Sequence, residues 1–138
     1  MTGKFPRVPK VPLAMVDVRD MATAHINAIE KGKNGTRYLT NRKDAYFFME
    51  VVKPLIEEFK GKIYKIPTKE APYWMMRLAS ICDKSIKPML PFYNLPYSVD
   101  TRKSTEELGL TYRPIEESAI EMAHNLIDLG YMEDLRNK

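Results

Sequence analysis

Six glycines in 138 residues, no two of them one residue apart, limit this chain more than any motif it carries. Turns that bring backbone N–H groups onto nucleotide phosphates need closely spaced glycines, because a Cβ blocks the approach. A dinucleotide cradle and a P-loop are therefore excluded from these residues. Ten prolines press the same way, toward short elements joined by stiff connections. With 44% hydrophobic and 29% charged residues the chain still reads as one globular domain. A domain of this length buries roughly two-thirds of its unfolded surface and needs no metal or disulfide to fold. Cys82 is the single cysteine, which excludes an internal disulfide and a four-cysteine zinc site. It points to a reducing, cytoplasmic setting. No apolar run reaches the ~18 residues of a membrane span, so no membrane partner is expected.

Hydrophobic spacing then orders the chain. Residues 1–12, with Pro6, Pro9 and Pro12, read as a polyproline-like lead-in rather than a packed element. Leu13–Val18 reads as a short buried strand, and Asp20 as the N-cap of a helix to Lys31. That helix carries Met21, Ala24, His25, Ala28 and Ile29 on one face. Gly32 is expected to supply a left-handed stop, and Asn34-Gly35 to turn into a strand over Thr36–Thr40. Phe48, Val51, Val52, Leu55 and Phe59 mark the clearest helix, with a kink or break expected at Pro54. A strand follows over Lys62–Ile66. Pro72 opens a helix with Trp74, Met75, Leu78 and Cys82 on its inner face. Residues 85–96 read as loop with one helical turn, 97–100 as extended, and 101–108 as a short helix closed by Gly109. Pro114 opens the last helix, closed by Gly130, with Ile115, Ala119, Met122, Ala123, Leu126 and Ile127 as its stripe.

None of these residues forms a recognisable active site. His25 reads as a packing histidine. His124 follows Glu121 by three residues and precedes Asp128 by four, but a helical di-iron site needs two Glu-x-x-His steps, so no metal is expected. Asp17 and Asp20 flank Arg19, where a helix cap and a local ion pair account for them. The net charge of +4 permits an anionic partner. Gly32-Lys33-Asn34-Gly35 resembles a backbone clamp of nucleic-acid modules, yet it joins a helix to an expected strand and reads as an ordinary stop. Nucleic acid is not the expected partner. Tyr73, Trp74 and the Met75-Met76 pair read as core or, less simply, as pocket lining. A tyrosine acting as proton donor beside a lysine four residues on is absent: none of the eight tyrosines has that lysine, and Tyr73 has Arg77 instead.

Five segments, in order, carry a family likeness. They are Val16-Asp17-Val18-Arg19-Asp20-Met21-Ala22-Thr23-Ala24-His25-Ile26, Gly35-Thr36-Arg37-Tyr38-Leu39, Asp100 to Ser104 with Glu107-Leu108-Gly109-Leu110, Tyr112 to Glu117, and Leu126 to Tyr131. Together they resemble the C-terminal part of extended short-chain dehydrogenases/reductases, within the NAD-dependent epimerase/dehydratase family. The nearest subgroup is that of dihydroflavonol-reductase-like aldehyde and ketone reductases. The resemblance implies an α/β chain: the C-terminal fragment of an NAD(P)-binding, Rossmann-like extended reductase, mostly helices with a few short strands. Residues 1–132 would be its substrate-binding portion, including the last strand or strands of the cofactor-domain sheet, and 133–138 a tail. The implied activity is reduction of a carbonyl. NAD(P) and the catalytic tyrosine would belong to the longer parent, so no catalytic, cofactor-binding or metal residue is carried over.

Substrate contacts implied here are Leu13, Ala14 and Met15, just before the Val16–Asp20 segment. Tyr73, Trp74 and Arg77 are added as part of a lid over the substrate. The implied partners are the small carbonyl or hydroxyl substrate and the cofactor domain itself, and self-association is possible. Two other readings stay open. One is a free-standing ligand-binding or self-associating module without catalysis; the weaker is a basic nucleic-acid-binding domain.

Overall fold

The computed structural model describes residues 7–136. Its centre is a pair of helices, α2 (Phe48–Glu58) and α5 (Ile115–Asp128), whose apolar stripes face each other. Val51 packs with Ile115 and Ala119, and two turns further along Phe59 packs with Ala123 and Ile127. Alanines at 119 and 123 leave room for the larger side chains opposite, the usual ridge-and-groove solution. Helix α2 runs unbroken through Pro54, contrary to the expected break. Proline removes a single hydrogen bond there, while Val51, Val52 and Phe59 are all buried on the helix and its end. The Glu50 carboxylate also accepts from the Phe47 N–H at 2.7 Å, closing the first turn.

A second centre holds α1 (Val18–Lys31) against the loop after α4 (Arg102–Glu107). Ala24, Leu108 and Leu110 form its buried cluster, with Tyr38 and Tyr112 against it. Ser104 is fully buried and donates to the carbonyls of Leu39 and Thr101 at 2.6 and 2.8 Å. The last helix and the 102–107 helix match expectation, and Gly109 and Gly130 take the left-handed conformation after them.

The strands are shorter than expected and lie elsewhere. Val8–Pro9 (β1) pairs in parallel with Glu70–Ala71 (β4), and Pro12–Leu13 (β2) pairs antiparallel with Tyr46–Phe47 (β3). The lead-in is thus a packed element, with Val8 and Val11 buried; residues 1–6 lie outside the described residues. Leu13–Val18 is not a buried strand. Only its first residue is in a ladder, Ala14 is exposed, and the chain turns helical at Val18 because Asp17, not Asp20, caps α1. Thr36–Thr40 and Lys62–Ile66 are not strands either. An extended segment needs a neighbouring edge to become a strand, and in these two segments only Lys65 is bridged.

Gly32 is not left-handed, with φ −67°. Glycine is needed there because a Cβ would lie 2.2 Å from the Ala28 carbonyl oxygen. Helix α3 (Tyr73–Cys82) is followed by a 3₁₀ helix over Lys87–Phe92, and Tyr73 and Tyr93 meet edge to face at 5.3 Å. Residues 97–99 are extended as expected, bridged to 43–45. At the far end, Tyr64 ties down residues 133–135 by donating to Glu133 O and accepting from Leu135 N. Among the described residues no helix is long and apolar enough to cross a membrane.

Candidate functional site

An open cleft of about 450 Å³ lies between the segment 15–19 and the flank of α5. Its walls are Met15, Val16 and Val18 on one side and Met122, Leu126 and Leu129 on the other. Sequence reasoning assigned Met122 and Leu126 to the core stripe of α5. The narrow seam with α2 admits only Ile115, Ala119, Ala123 and Ile127, and the i, i+4, i+7 row beside it is left to the cleft.

The polar end of the cleft is an interlocked set of charges. Asp17 accepts from the Arg19 N–H at 2.8 Å and from the Arg19 guanidinium at 2.8 and 2.9 Å. Ser118 on α5 donates to the same carboxylate at 2.6 Å. Arg19 reaches on to Glu121 at 2.6 Å. Hydrogen bonds from Arg19 and then Ser118 hold the Asp17 carboxyl well below the usual carboxylate range, and Asp17 and Glu121 raise the Arg19 guanidinium. Every group is engaged. Such a set fixes where α1 starts relative to α5.

Asp20 is buried and spans 93 residues, accepting from the Arg113 N–H at 2.8 Å and pairing with its guanidinium. It is a tie between α1 and the chain before α5. His25 is exposed, its Nδ1 bonded to the Met21 carbonyl at 2.8 Å, which corrects its assignment as a packing residue. His124 pairs with Glu58 at 2.8 Å and lies against the Phe59 ring. Among the described residues no cluster of histidine, cysteine and carboxylate side chains is suited to a metal.

Of the six residues proposed from sequence as substrate contacts, Met15 lines the cleft, Leu13 pairs with Tyr46 beside it, and Ala14 is exposed at its rim. Tyr73, Trp74 and Arg77 lie on α3 and do not line this cleft. The expected inner face of α3 is reversed: Met76 is buried, while Trp74 is 68% exposed and Leu78 and Cys82 are also on the surface. A second, open recess of about 430 Å³ is edged by Arg37, Asp100, Arg102 and Lys103. Its Asp100 is held at about 2 by Arg102, so much of its charge is internally paired.

Neither helix start beside the cleft suits a nucleotide phosphate. The N–H groups opening α1 already face the Asp17 carboxylate, and the first turn of α5 carries Glu116 and Glu117, which repel an anion. The helix starts beside the cleft therefore do not fit the phosphates of NAD(P).

This architecture, mostly helical with a few short strands, is shared with a solved protein. The crystal structure of gox2253 matches with a TM-score of 0.70 over 96% of this chain and 42% of that one, at 19% identity, a likeness of fold alone. Among curated proteins, cinnamoyl-CoA reductase 2 of Arabidopsis thaliana is 28% identical over 132 residues. That match covers 96% of this chain and 34% of the plant protein, so the chain spans about a third of its relative's length. It supports a reductase-family relationship. No protein-family model matches the chain.

Proposed function

We propose that this chain is the substrate-binding, C-terminal portion of an NAD(P)-dependent oxidoreductase that reduces a carbonyl, of the dihydroflavonol-reductase and aldehyde-reductase type. The observation that carries the reading is the match to a reductase along nearly the whole chain, in a sequence with no glycine cradle and no tyrosine–lysine pair. Cofactor and proton donor then belong to residues outside these 138, and the chain contributes contacts to the substrate. Leu13, Ala14 and Met15 would meet it from the β2 side, and Tyr73, Trp74 and Arg77 from α3. By itself the chain turns nothing over. Two measurements test this. The DNA ahead of the Met1 codon should encode, in frame, a glycine-rich loop and a Tyr-x-x-x-Lys. The purified 138-residue chain should not oxidise NADPH with an aldehyde or a cinnamoyl thioester; enzymatic turnover by it refutes the reading.

The exposed apolar face of α1 favours one alternative, a module that associates with itself. A monodisperse monomer by light scattering at about 100 μM argues against that alternative.

A further inference from the structure

Helix α3 carries an apolar ridge on the side turned away from the protein. At 100° per residue, Trp74, Leu78 and Ile81 fall within an arc of about 60°, and Met76 lies on the opposite side. Met76 is buried, while Trp74, Leu78 and Ile81 are 68%, 60% and 76% exposed. The helix is well seated behind that ridge. Tyr73 meets Tyr93 edge to face, and the Tyr93 hydroxyl donates to the Ala71 carbonyl at 3.1 Å. A tryptophan and two branched aliphatics spaced i, i+4, i+7 on the outward side make a continuous surface rather than scattered exposure.

Charge says what covers it. Arg77 flanks the ridge, Lys69 precedes the helix, and Lys84 and Lys87 follow its end; all four are exposed, and none is ion-paired among the described residues. Of the two acids in this stretch, Glu70 is taken up by Lys10 at 3.5 Å, which leaves only Asp83 against the four cations. Residues 60–87 hold seven lysines and arginines against two acids, an excess above the +4 of the whole chain, so the remainder is slightly acidic. A second copy meeting this ridge through its own would bring like charges together. An apolar ridge beside uncompensated cations instead suits a broad body that is anionic outside and apolar beneath. We propose that α3 docks on an anionic lipid surface. Trp74, Leu78 and Ile81 enter the boundary between headgroups and acyl chains, and Arg77, Lys84 and Lys87 lie among the phosphates. A helix lying in that boundary needs no ~18-residue apolar run, so the lack of a spanning helix among the described residues does not bear on it. The inference stands apart from the reductase reading, except that Trp74 and Arg77 would then reach a substrate only through the lipid.

The test is sedimentation of the 138-residue chain with extruded vesicles. Vesicles of phosphatidylcholine with about 30% phosphatidylserine should bind it about tenfold more tightly than phosphatidylcholine alone, and about 0.5 M NaCl should remove that excess. Trp74 is the only tryptophan, so its emission should shift to the blue on binding and be quenched by lipids brominated on their acyl chains. Ile81→Glu should weaken binding about tenfold, and Arg77→Glu with Lys84→Glu should abolish the preference for phosphatidylserine. These three positions are exposed, so circular dichroism of each variant should match the parent chain. No binding, or binding with unshifted Trp74 emission, overturns the proposal, and so does binding that Ile81→Glu leaves unchanged. A chain that ignores vesicles but binds poly-glutamate also overturns it and assigns the face to an acidic protein. None of these readouts involves turnover, so this inference and the reductase reading fail separately.

Discussion

Replacing Asp20 by alanine should loosen α1 from the rest of the chain. The carboxylate is buried, with its side chain 6% exposed, and it serves two donors on Arg113: the backbone N–H at 2.8 Å and the guanidinium. Loss of a hydrogen bond to a charged group removes about 1.5–3 kcal/mol, and leaving the half-buried Arg113 N–H without a partner adds about 1 kcal/mol. Arg113 is itself 38% exposed, so water recovers part of the guanidinium's solvation and the lower half of the first range applies. The expected destabilisation of Asp20→Ala is about 3 kcal/mol. With a urea slope of about 2 kcal/mol per molar, that is a midpoint lower by about 1.5 M, read by far-ultraviolet circular dichroism at pH 7. Asp20→Asn keeps an acceptor oxygen and loses the ion pair, and should fall about midway. A double-mutant cycle with Arg113→Met should return a coupling above 1 kcal/mol. If Asp20→Ala unfolds within about 0.3 M of the parent chain, the tie between α1 and the segment before α5 does not hold the fold as argued.

Leu108 is 1% exposed at the centre of the α1 cluster, so Leu108→Ala should cost about 2–4 kcal/mol in the same titration. Asp17 gives the pH dependence. Its carboxyl is held below its unfolded value, so the stability it contributes is complete above about pH 4 and is lost as the pH falls through that range. The urea midpoint should drop steeply as the pH falls from about 4 to 2, and Asp17→Asn should flatten that drop; an equal slope in both proteins rejects the cap network as its source. Gly32→Ala should destabilise by about 1–2 kcal/mol, since its Cβ meets the Ala28 carbonyl oxygen, a backbone atom that cannot swing away. A melting temperature within a degree of the parent would show that the end of α1 relaxes freely.

Helices with a dominant one-sided stripe were legible from spacing. The rows Val51–Leu55 and Ile115–Ala119–Ala123–Ile127 meet in the structure as their periodicity required. Glycine after a helix was legible too, at 109 and 130, because the left-handed conformation follows from local sterics. Segments whose state depends on a neighbour were not. Val16 and Val18 have strand character, yet without an edge to pair with the chain turns helical at Asp17, whose carboxylate satisfies the Arg19 N–H locally. Helices α1 and α3 were misjudged for a related reason. Each carries apolar residues on more than one side, and periodicity does not say which side meets the core. Met76 turned inward and Trp74 outward. The cleft is half visible in the sequence: Met15 stands among the expected contacts, while Met122 and Leu126 are hidden among residues that read as core, and Leu129 carries no signal.

The amino-acid sequence alone determined that these residues hold no nucleotide cradle, no metal cluster spacing and no tyrosine–lysine donor, because each depends on residue types at short separation. It also determined the two central helices and the glycine that stops α5, which are local and periodic. Only the tertiary structure decided which faces are covered. It placed Asp17 and Asp20 as ties to Ser118 and Arg113, about a hundred residues away, and left Val18, Ile26 and Ile29 of α1 exposed. Whether a stripe is core or surface is set by what lies across from it, and that neighbour is never written in the stripe itself.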